Sequence, residues 1–498
     1  MKNLHERKAH GEKSTKNLQT INKEEKPAKY ITNHLAFAIA ASAIGSSFQH
    51  GYNTGVMNIP QLLIQKFINE SHNNQHEDPA SEGTVTFIFS ILVSIFCIGG
   101  MCGAFMTAFV AEKCGRKGGL LLNNIFVFCA AALIITSKTY QSYEMFIVGR
   151  FLIGFNSGLN AGLAPMYLSE ISPLQLRGTV GIVYQLVITI SIFISQVLGL
   201  PSFLGTEKLW PLLFAVILVP SLFMLLTLPF CPESPKYTLF TQGKDDCARK
   251  ALIWLRETNE VQGEMDLMRA EYKSVKLVPK VALYDLWHNP ALRTPLIISV
   301  VIMLSQQLSG INAAFFFSND IFLSAGLSRD SALNATLGLG IINVLMTLIS
   351  LALIERAGRR TLHLVGLGGM MTMTILLTIC LAWQKNVPLL SYFSIVCMIT
   401  FVIMFAIGPG PIPWFFVQEL FGQGARPLAT SIAVTVNWAA NFIVGLGFLP
   451  LQNILGVYTF LIFTAFLCFF WLFTFKYVPE TKNKSIEEIT ALFRLKAQ

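Results

Sequence analysis

The chain has 498 residues, 53% of them hydrophobic and 13% charged, with a mean hydropathy of +0.55. That balance excludes an ordinary soluble domain and describes a polytopic membrane protein. The net charge of +9 would suit a nucleic-acid surface, but only five of the 37 Lys and Arg (Lys66, Lys138, Lys208, Arg329 and Lys385) fall in the loops of one side. That asymmetry is the positive-inside pattern, so the expected partner is the lipid bilayer and not nucleic acid.

Residues 1–33 are polar, with seven Lys in the first 31 positions, and read as a cytosolic tail rather than a signal peptide. Apolar runs follow at about 34–60, 84–110, 118–137, 143–168, 178–200 and 210–230, an N-terminal six-helix half over 34–230. The polar segment 231–290 interrupts them. Ala248, Leu252 and Leu255 share one helical face there with charges opposite, which predicts short cytosolic linker helices. Six more runs, at about 292–317, 333–354, 361–383, 391–420, 427–449 and 454–476, form a C-terminal half over 291–476, before a cytosolic tail at 477–498. The fold class expected is an all-α membrane protein of twelve transmembrane helices, with both termini on the basic, cytosolic side.

The halves repeat. Glu112-Lys-Cys-Gly-Arg-Lys117 recurs 243 residues later as Glu355-Arg-Ala-Gly-Arg-Arg360. Glu170 and Arg177 recur as Glu419 and Arg426 with the same gap, and Pro232-Glu-Ser-Pro-Lys recurs as Pro479-Glu-Thr-Lys. A parallel six-plus-six repeat is the architecture of alternating-access transporters, with the substrate at the midplane between the halves.

The most polar stretch inside an apolar run is Ser305-Gln-Gln-Leu-Ser-Gly-Ile-Asn312. Polar side chains in hydrocarbon must face protein or water. On an ideal helix Ser305, Ser309 and Asn312 share a face, with Gln306 at its edge and Gln307 turned away. Gly310 is where the helix can loosen so that both glutamines point inward. Five such side chains in eight residues favour a hydroxyl-rich ligand over interhelical hydrogen bonding alone. Gly408-Pro-Gly-Pro-Ile-Pro-Trp414 cannot sustain a regular helix, and Pro409 and Pro411 predict a break that lines a cavity and bends as a gate. Asn69-Glu-Ser71 is a glycosylation sequon on the expected outer side, whereas Asn483-Lys-Ser485 falls on the cytosolic side. None of the nine Cys lies in an outer loop, so no disulfide framework is expected. No nucleophile–base pair or metal constellation is present, so neither an enzyme nor a cofactor is expected.

These motifs, together with Gly51-Tyr-Asn-Thr-Gly55, Gly149-Arg150, Tyr184-Gln185, Asn437-Trp438 and Val478-Pro-Glu-Thr-Lys482, run in order along nearly the whole chain. In this the chain resembles the facilitative hexose (glucose) transporters of the major facilitator superfamily. The resemblance implies that Gln185, Gln306, Gln307, Asn312, Asn343, Trp414 and Asn441 contact the sugar, Trp414 through its flat apolar face. It implies an outer gate at Phe316 and Phe317, where the family has tyrosines, so closure here is expected to rest on packing. It also implies an inner gate of inter-helix salt bridges at the cytosolic ends of spans, drawn from Arg116, Arg150, Glu170, Arg177, Glu233, Glu355, Arg359, Glu419, Arg426 and Glu480. The expected activity is passive uniport of D-glucose and related hexoses across the plasma membrane, with a proton-coupled symporter or a transporter-like sugar sensor as the alternatives. Related symporters carry Asp at the position of Asn53, which cannot ionise, leaving His50 as the titratable residue of that region. Two departures bear on substrate choice: Ala406 replaces a glutamate of glucose carriers, as in fructose carriers, and Tyr184 replaces a histidine. The expectation is therefore glucose, with fructose and galactose open as additional substrates.

Overall fold

The computed structural model describes residues 31–76, 79–173, 176–277, 281–422, 424–482, 484 and 486–497. In the N-terminal half the crossings are α1 (Asn33–Gly55), α3 (Glu82–Lys113), α4 (Arg116–Thr139), α5 (Tyr143–Ile171), α6 (Arg177–Leu198) and the pair α7 (Trp210–Ala215) and α8 (Leu218–Thr227). The helix α2 (Gln61–Gln75) lies between spans 1 and 2. The linker folds as α9 (Pro235–Phe240), α10 (Asp245–Arg256), α11 (Gln262–Leu277) and α12 (Leu283–His288). The C-terminal half follows with α13 (Pro290–Gln307) and α14 (Ile311–Ser324) as a broken span 7, then α15 (Arg329–Ala357) and α16 (Arg359–Trp383). Span 10 is also broken, into α17 (Leu389–Ile407) and α18 (Ile412–Leu420); α19 (Arg426–Leu455), α20 (Thr459–Tyr477) and a final α21 (Ile486–Ala497) complete the chain.

Among the described residues, eight helical stretches are long and apolar enough to cross a membrane, and one of them, Arg426–Tyr477, carries two crossings. Of the other three spans, α1 and α5 fall short of that composition for a physical reason: they bury Ser42, Ser46, Gln49, Asn53, Arg150, Asn156 and Asn160 against other helices rather than facing lipid. The described residues of α6 include a shorter apolar stretch, Val183–Leu198.

Hydroxyl side chains start several helices: Thr32, Ser81, Ser142 and Ser328 each accept a hydrogen bond from a backbone N–H of the first turn. The linker is tied to the bundle at one end of the molecule, here termed the linker end. His34 stacks on Trp254 with ring centroids 4.4 Å apart, and Arg256 donates to the Ile171 carbonyl at 2.9 Å. Ala248, Leu252 and Leu255 are buried as the helical pattern requires. The halves meet along α3 against α19 and α6 against α15. Trp438 lies over Gly100, where a Cβ would meet its ring at 2.6–2.8 Å.

Candidate substrate site and gates

Span 7 stops at Gln307 because Gly310 takes φ +92°, and a new helix begins at Ile311. Any side chain at Gly310 would be strained there, and its Cβ would meet the Phe463 ring at 2.8–3.0 Å. The break brings both glutamines and Asn312 into one buried network completed by Asn437 of span 11. Gln307 Nε2 donates to Asn437 Oδ1 at 2.8 Å and to Gln306 Oε1 at 3.2 Å; Asn437 Nδ2 donates to Gln306 Oε1 at 2.7 Å. Asn312 donates to Gln307 Oε1, and Gln306 Nε2 donates to the Gly410 carbonyl at 2.5 Å. That last bond couples span 7 to the Pro-Gly break of span 10. The break itself sits on span 9, where a Cβ on Gly408 would lie 2.2 Å from the Leu362 carbonyl. Amides offer donors and acceptors together, which is what a sugar hydroxyl needs.

The two serines of the polar stretch depart from the sequence reading. Ser305 donates to the Ile302 carbonyl at 2.7 Å and meets His363 Nε2 at 3.2 Å, while Ser309 donates to the Gln306 carbonyl at 2.7 Å. Both hydroxyls are spent on neighbours within the half, so the network that joins spans 7 and 11 is made of amides. Asn343 is buried on span 8, and Asn441 on span 11 has a buried Oδ1 without a partner. Gln185 is exposed on span 5, α6, and Trp414 is 38% exposed; neither belongs to the amide network.

A second amide network, unanticipated from sequence, fills the N-terminal half. Gln49 Nε2 donates to Asn124 Oδ1 at 3.1 Å, and Ser221 Oγ donates to the same oxygen at 2.7 Å. Asn160 Nδ2 donates to Gln49 Oε1 at 3.2 Å and Asn123 Nδ2 to Asn160 Oδ1 at 2.9 Å. Its sequence signal was the pair Asn123-Asn124 and the i, i+4 pair Asn156 and Asn160 within apolar runs.

At the end opposite the linker, Phe316 and Phe317 are buried. Phe317 stacks on Phe448 at 5.3 Å and meets Phe89 of the N-terminal half at 6.4 Å. Packing is joined by hydrogen bonds from a residue the sequence reading left out. Asn58 Nδ2 donates to the Phe315 carbonyl at 2.8 Å and to Ser318 Oγ at 2.7 Å, and Asn58 Oδ1 accepts from the Asn319 N–H at 3.2 Å. Among the described residues, the hydrogen bonds between the halves all lie at this end, with Gln61 to Asp320 as the remaining contact.

The linker end is held differently. Arg116 pairs with Glu170 at 2.9 Å and Arg359 with Glu419 at 3.1 Å, each within its own half. Ser234 and Thr481 hydroxyls donate to those same carboxylates. Glu233 accepts from the N–H groups of Arg116 and Lys117, and Glu480 from those of Arg359 and Arg360, capping spans 3 and 9 alike. Gly115 (φ +80°) and Gly358 (φ +91°) let the chain approach; a Cβ would meet Glu233 Oε2 at 2.4 Å and Glu480 Oε2 at 2.8 Å. No described ion pair joins the two halves. Arg426 donates to the Phe421 carbonyl at 3.2 and 3.1 Å rather than to a carboxylate. The side chains of Arg177 and Glu355, and Asn483, lie outside the described residues.

Arg150 is corrected outright: it is not at the linker end. Span 4 enters at Tyr143, so Arg150 lies about 10 Å in from the opposite end. It is 1% exposed, donates to the Leu92 and Asn53 carbonyls at 3.2 Å each, and lies 4.8 Å over the Phe96 ring. A buried guanidinium is satisfied here by carbonyls and an aromatic face. Asn69 is exposed on α2, whereas Ser71 of its sequon is buried and donates to the Gln141 carbonyl at 2.6 Å.

Two six-helix halves, each clasped at the linker end and hydrogen-bonded to each other, among the described residues, only at the opposite end, with a buried amide network at the broken span 7, define a membrane transporter of the major facilitator fold. The sequence profile described as "Sugar (and other) transporter" matches residues 38–493. The chain is 45% identical over 464 residues to the "Solute carrier family 2, facilitated glucose transporter member 1" of Gallus gallus, covering 93% of this chain and 94% of the relative. It is 45% identical over 473 residues to member 4 of Homo sapiens, covering 94% and 92%. Among solved structures, the proton:xylose symporter XylE bound to 6-bromo-6-deoxy-D-glucose superposes with a TM-score of 0.75 at 23% identity, over 93% of this chain and all of that one. The inward open conformation of XylE from E. coli gives 0.74 at 23% identity, over 92% and 99%. The chain belongs to the sugar transporter family.

Proposed function

We propose that this protein is a facilitative hexose carrier that moves D-glucose, with fructose and galactose as further substrates, passively across the plasma membrane by alternating access. The observation that carries the reading is the buried amide network of Gln306, Gln307, Asn312 and Asn437 at two broken helices. In this reading Asn343, Asn441, Gln185 and Trp414 complete the sugar's contacts as the halves close on it. The linker end, with both tails, is cytosolic, and Asn69 on the opposite side carries the glycan.

Phe316, Phe317 and Asn58 form the outer gate, closed in this arrangement, and the Pro409–Pro411 break flexes as the inner one. The clasps of Arg116, Glu170 and Glu233 and of Arg359, Glu419 and Glu480 hold each half rigid. In this reading Arg177, Glu355 and Arg426 are the residues assigned to bridge the halves when the protein faces outward. Passive transport is supported at Asn53, whose Nδ2 donates to the Gln49 carbonyl at 2.8 Å where a coupled carrier needs a carboxylate.

The experiment is entry of labelled D-glucose into proteoliposomes without any ion gradient. Equilibration to equal concentrations is the expected result. Entry only when an acid-outside gradient is imposed, with accumulation, would replace uniport by symport.

A further inference from the structure

The last turn of α2, at the end opposite the linker and away from both gates, carries His72, and His76 caps it. Residues four apart are neighbours on a helix surface, and these two rings stack with centroids 4.3 Å apart and planes 19° from parallel. His76 ends the helix in extended backbone, its N–H donating to the His72 carbonyl at 2.9 Å, and its ring Nδ1 lies 3.3 Å from that same carbonyl. A carbonyl oxygen only accepts, so in the neutral ring Nδ1 holds the proton and Nε2 keeps a free lone pair. An imidazole N–H donating to a backbone carbonyl is the arrangement that orients metal-binding histidines. His72 is half-buried, and its Nδ1 has no hydrogen-bond partner. The turn is fixed from both sides. Gln75 Nε2 donates to the Gln141 carbonyl at 3.2 Å and to Glu144 Oε2 at 3.3 Å, the Tyr143 ring stacks on His72 at 6.4 Å, and the Ala80 N–H donates to Asn73 Oδ1 at 2.9 Å.

We propose that His72 and His76 form a binding site for one divalent late transition-metal ion, with Zn²⁺ as its simplest occupant. Two ligand nitrogens about 2.0–2.1 Å from a common ion stand roughly 3.3–4.2 Å apart. Rings already stacked at 4.3 Å therefore need only tilt toward each other. Among the described residues no group of three His, Cys, Asp or Glu is placed to hold a metal. The site is thus a two-histidine chelate with water in the remaining positions, and the exposed His76 gives the ion a path from solvent. A pair of imidazoles suits Zn²⁺, Ni²⁺ and Cu²⁺, whereas Mg²⁺ and Ca²⁺ take oxygen ligands. An ion held there pins the capping residue of α2 to the turn before it. The inference needs neither the hexose reading nor a direction of transport.

The test is calorimetric titration of ZnCl₂, NiCl₂ and MgCl₂ into the full chain in detergent, purified without a polyhistidine tag. Wild type is compared with His72→Gln, His76→Gln and the double variant. The other histidines and the exposed thiols are common to all four proteins, so the difference between them isolates the pair. Wild type should bind one more Zn²⁺ or Ni²⁺ than the double variant, and Mg²⁺ should give no such difference. Either single variant should weaken that site about tenfold or more, the least that losing even an outer partner costs a metal site. A chelate is lost whole when one ligand goes, so the double variant should bind no more weakly than the singles. Zn²⁺ should also raise the Tm of wild type and leave that of the variants unmoved. Equal binding by wild type and double variant overturns the proposal. So do single variants that keep the wild-type affinity, which would make the two imidazoles independent. If His72→Gln disturbs the packing on Tyr143, the exposed His76→Gln alone decides the matter, with glucose uptake in the absence of metal as the check on folding.

Discussion

Replacing Gln307 with Leu separates the substrate reading of the amide network from a purely structural one. Gln307 sits at the centre: it donates to Asn437 at 2.8 Å and Gln306 at 3.2 Å and accepts from Asn312. Leucine has nearly the same volume, so packing changes little, but Asn437 Oδ1 and Asn312 Nδ2 each lose a partner. In the empty carrier, water entering between the halves can satisfy both groups, so the fold should tolerate the change. With sugar bound and water expelled, the unpaired groups cost about 1–3 kcal/mol, which is about 5- to 150-fold in KM. The assay is initial D-glucose uptake in proteoliposomes, normalised to incorporated protein, with the detergent Tm as a check on folding. Uptake within twofold of wild type at an unchanged Tm would refute the reasoning and leave the network as glue between spans 7 and 11.

Gly310→Ala forces a Cβ into left-handed backbone and against the Phe463 ring. The two penalties together should lower stability by about 2–5 kcal/mol, read as a fall in Tm. Asn58→Ala removes three hydrogen bonds from the latch opposite the linker; a thiol-reactive probe on an introduced Cys at Asn319, whose part in the latch is its backbone N–H, should then label faster, and unchanged labelling would deny the latch its role. In the loops of that end, the Lys66 hydrogen bond and charge hold the Glu207 carboxyl below its ordinary value. Its contribution is therefore present above the usual carboxylate pKa and lost as pH falls through the lowered folded value. The Tm curves of wild type and Glu207→Gln should converge in that acid range, whereas a constant offset would count against the pair.

Much of the architecture was legible because it follows from local chemistry. Gly310 and the Gly408–Pro411 run break their helices where the sequence says they must, and the duplicated Glu-Arg spacing produces duplicated clasps. The failures share a cause. Polar residues inside apolar runs announce that they need partners but not which ones, so Asn437 and Asn58 were missed as central hydrogen-bonding residues and the Gln49–Asn160 network went unseen. Arg150 was placed by the rule that charges sit at cytosolic helix ends. The rule fails for a guanidinium that can spend its protons on carbonyls and its face on Phe96. Ser305 and Ser309 shared a face with Asn312 only on an ideal helix, and nearby carbonyls claimed both hydroxyls.

The two clasps differ in one respect that matters while the protein is being made. Every member of the first, Arg116, Glu170, Glu233 and Ser234, has been synthesised once residue 234 leaves the ribosome, before any of the second half exists. The second needs Glu480 and Thr481, which come after all twelve crossings. The N-terminal bundle can therefore lock while translation continues, and the C-terminal bundle stays without Glu480 and Thr481 until residues past its last crossing arrive. A nascent chain stalled at residue 478 would hold every membrane helix and still lack the fastening of its second half.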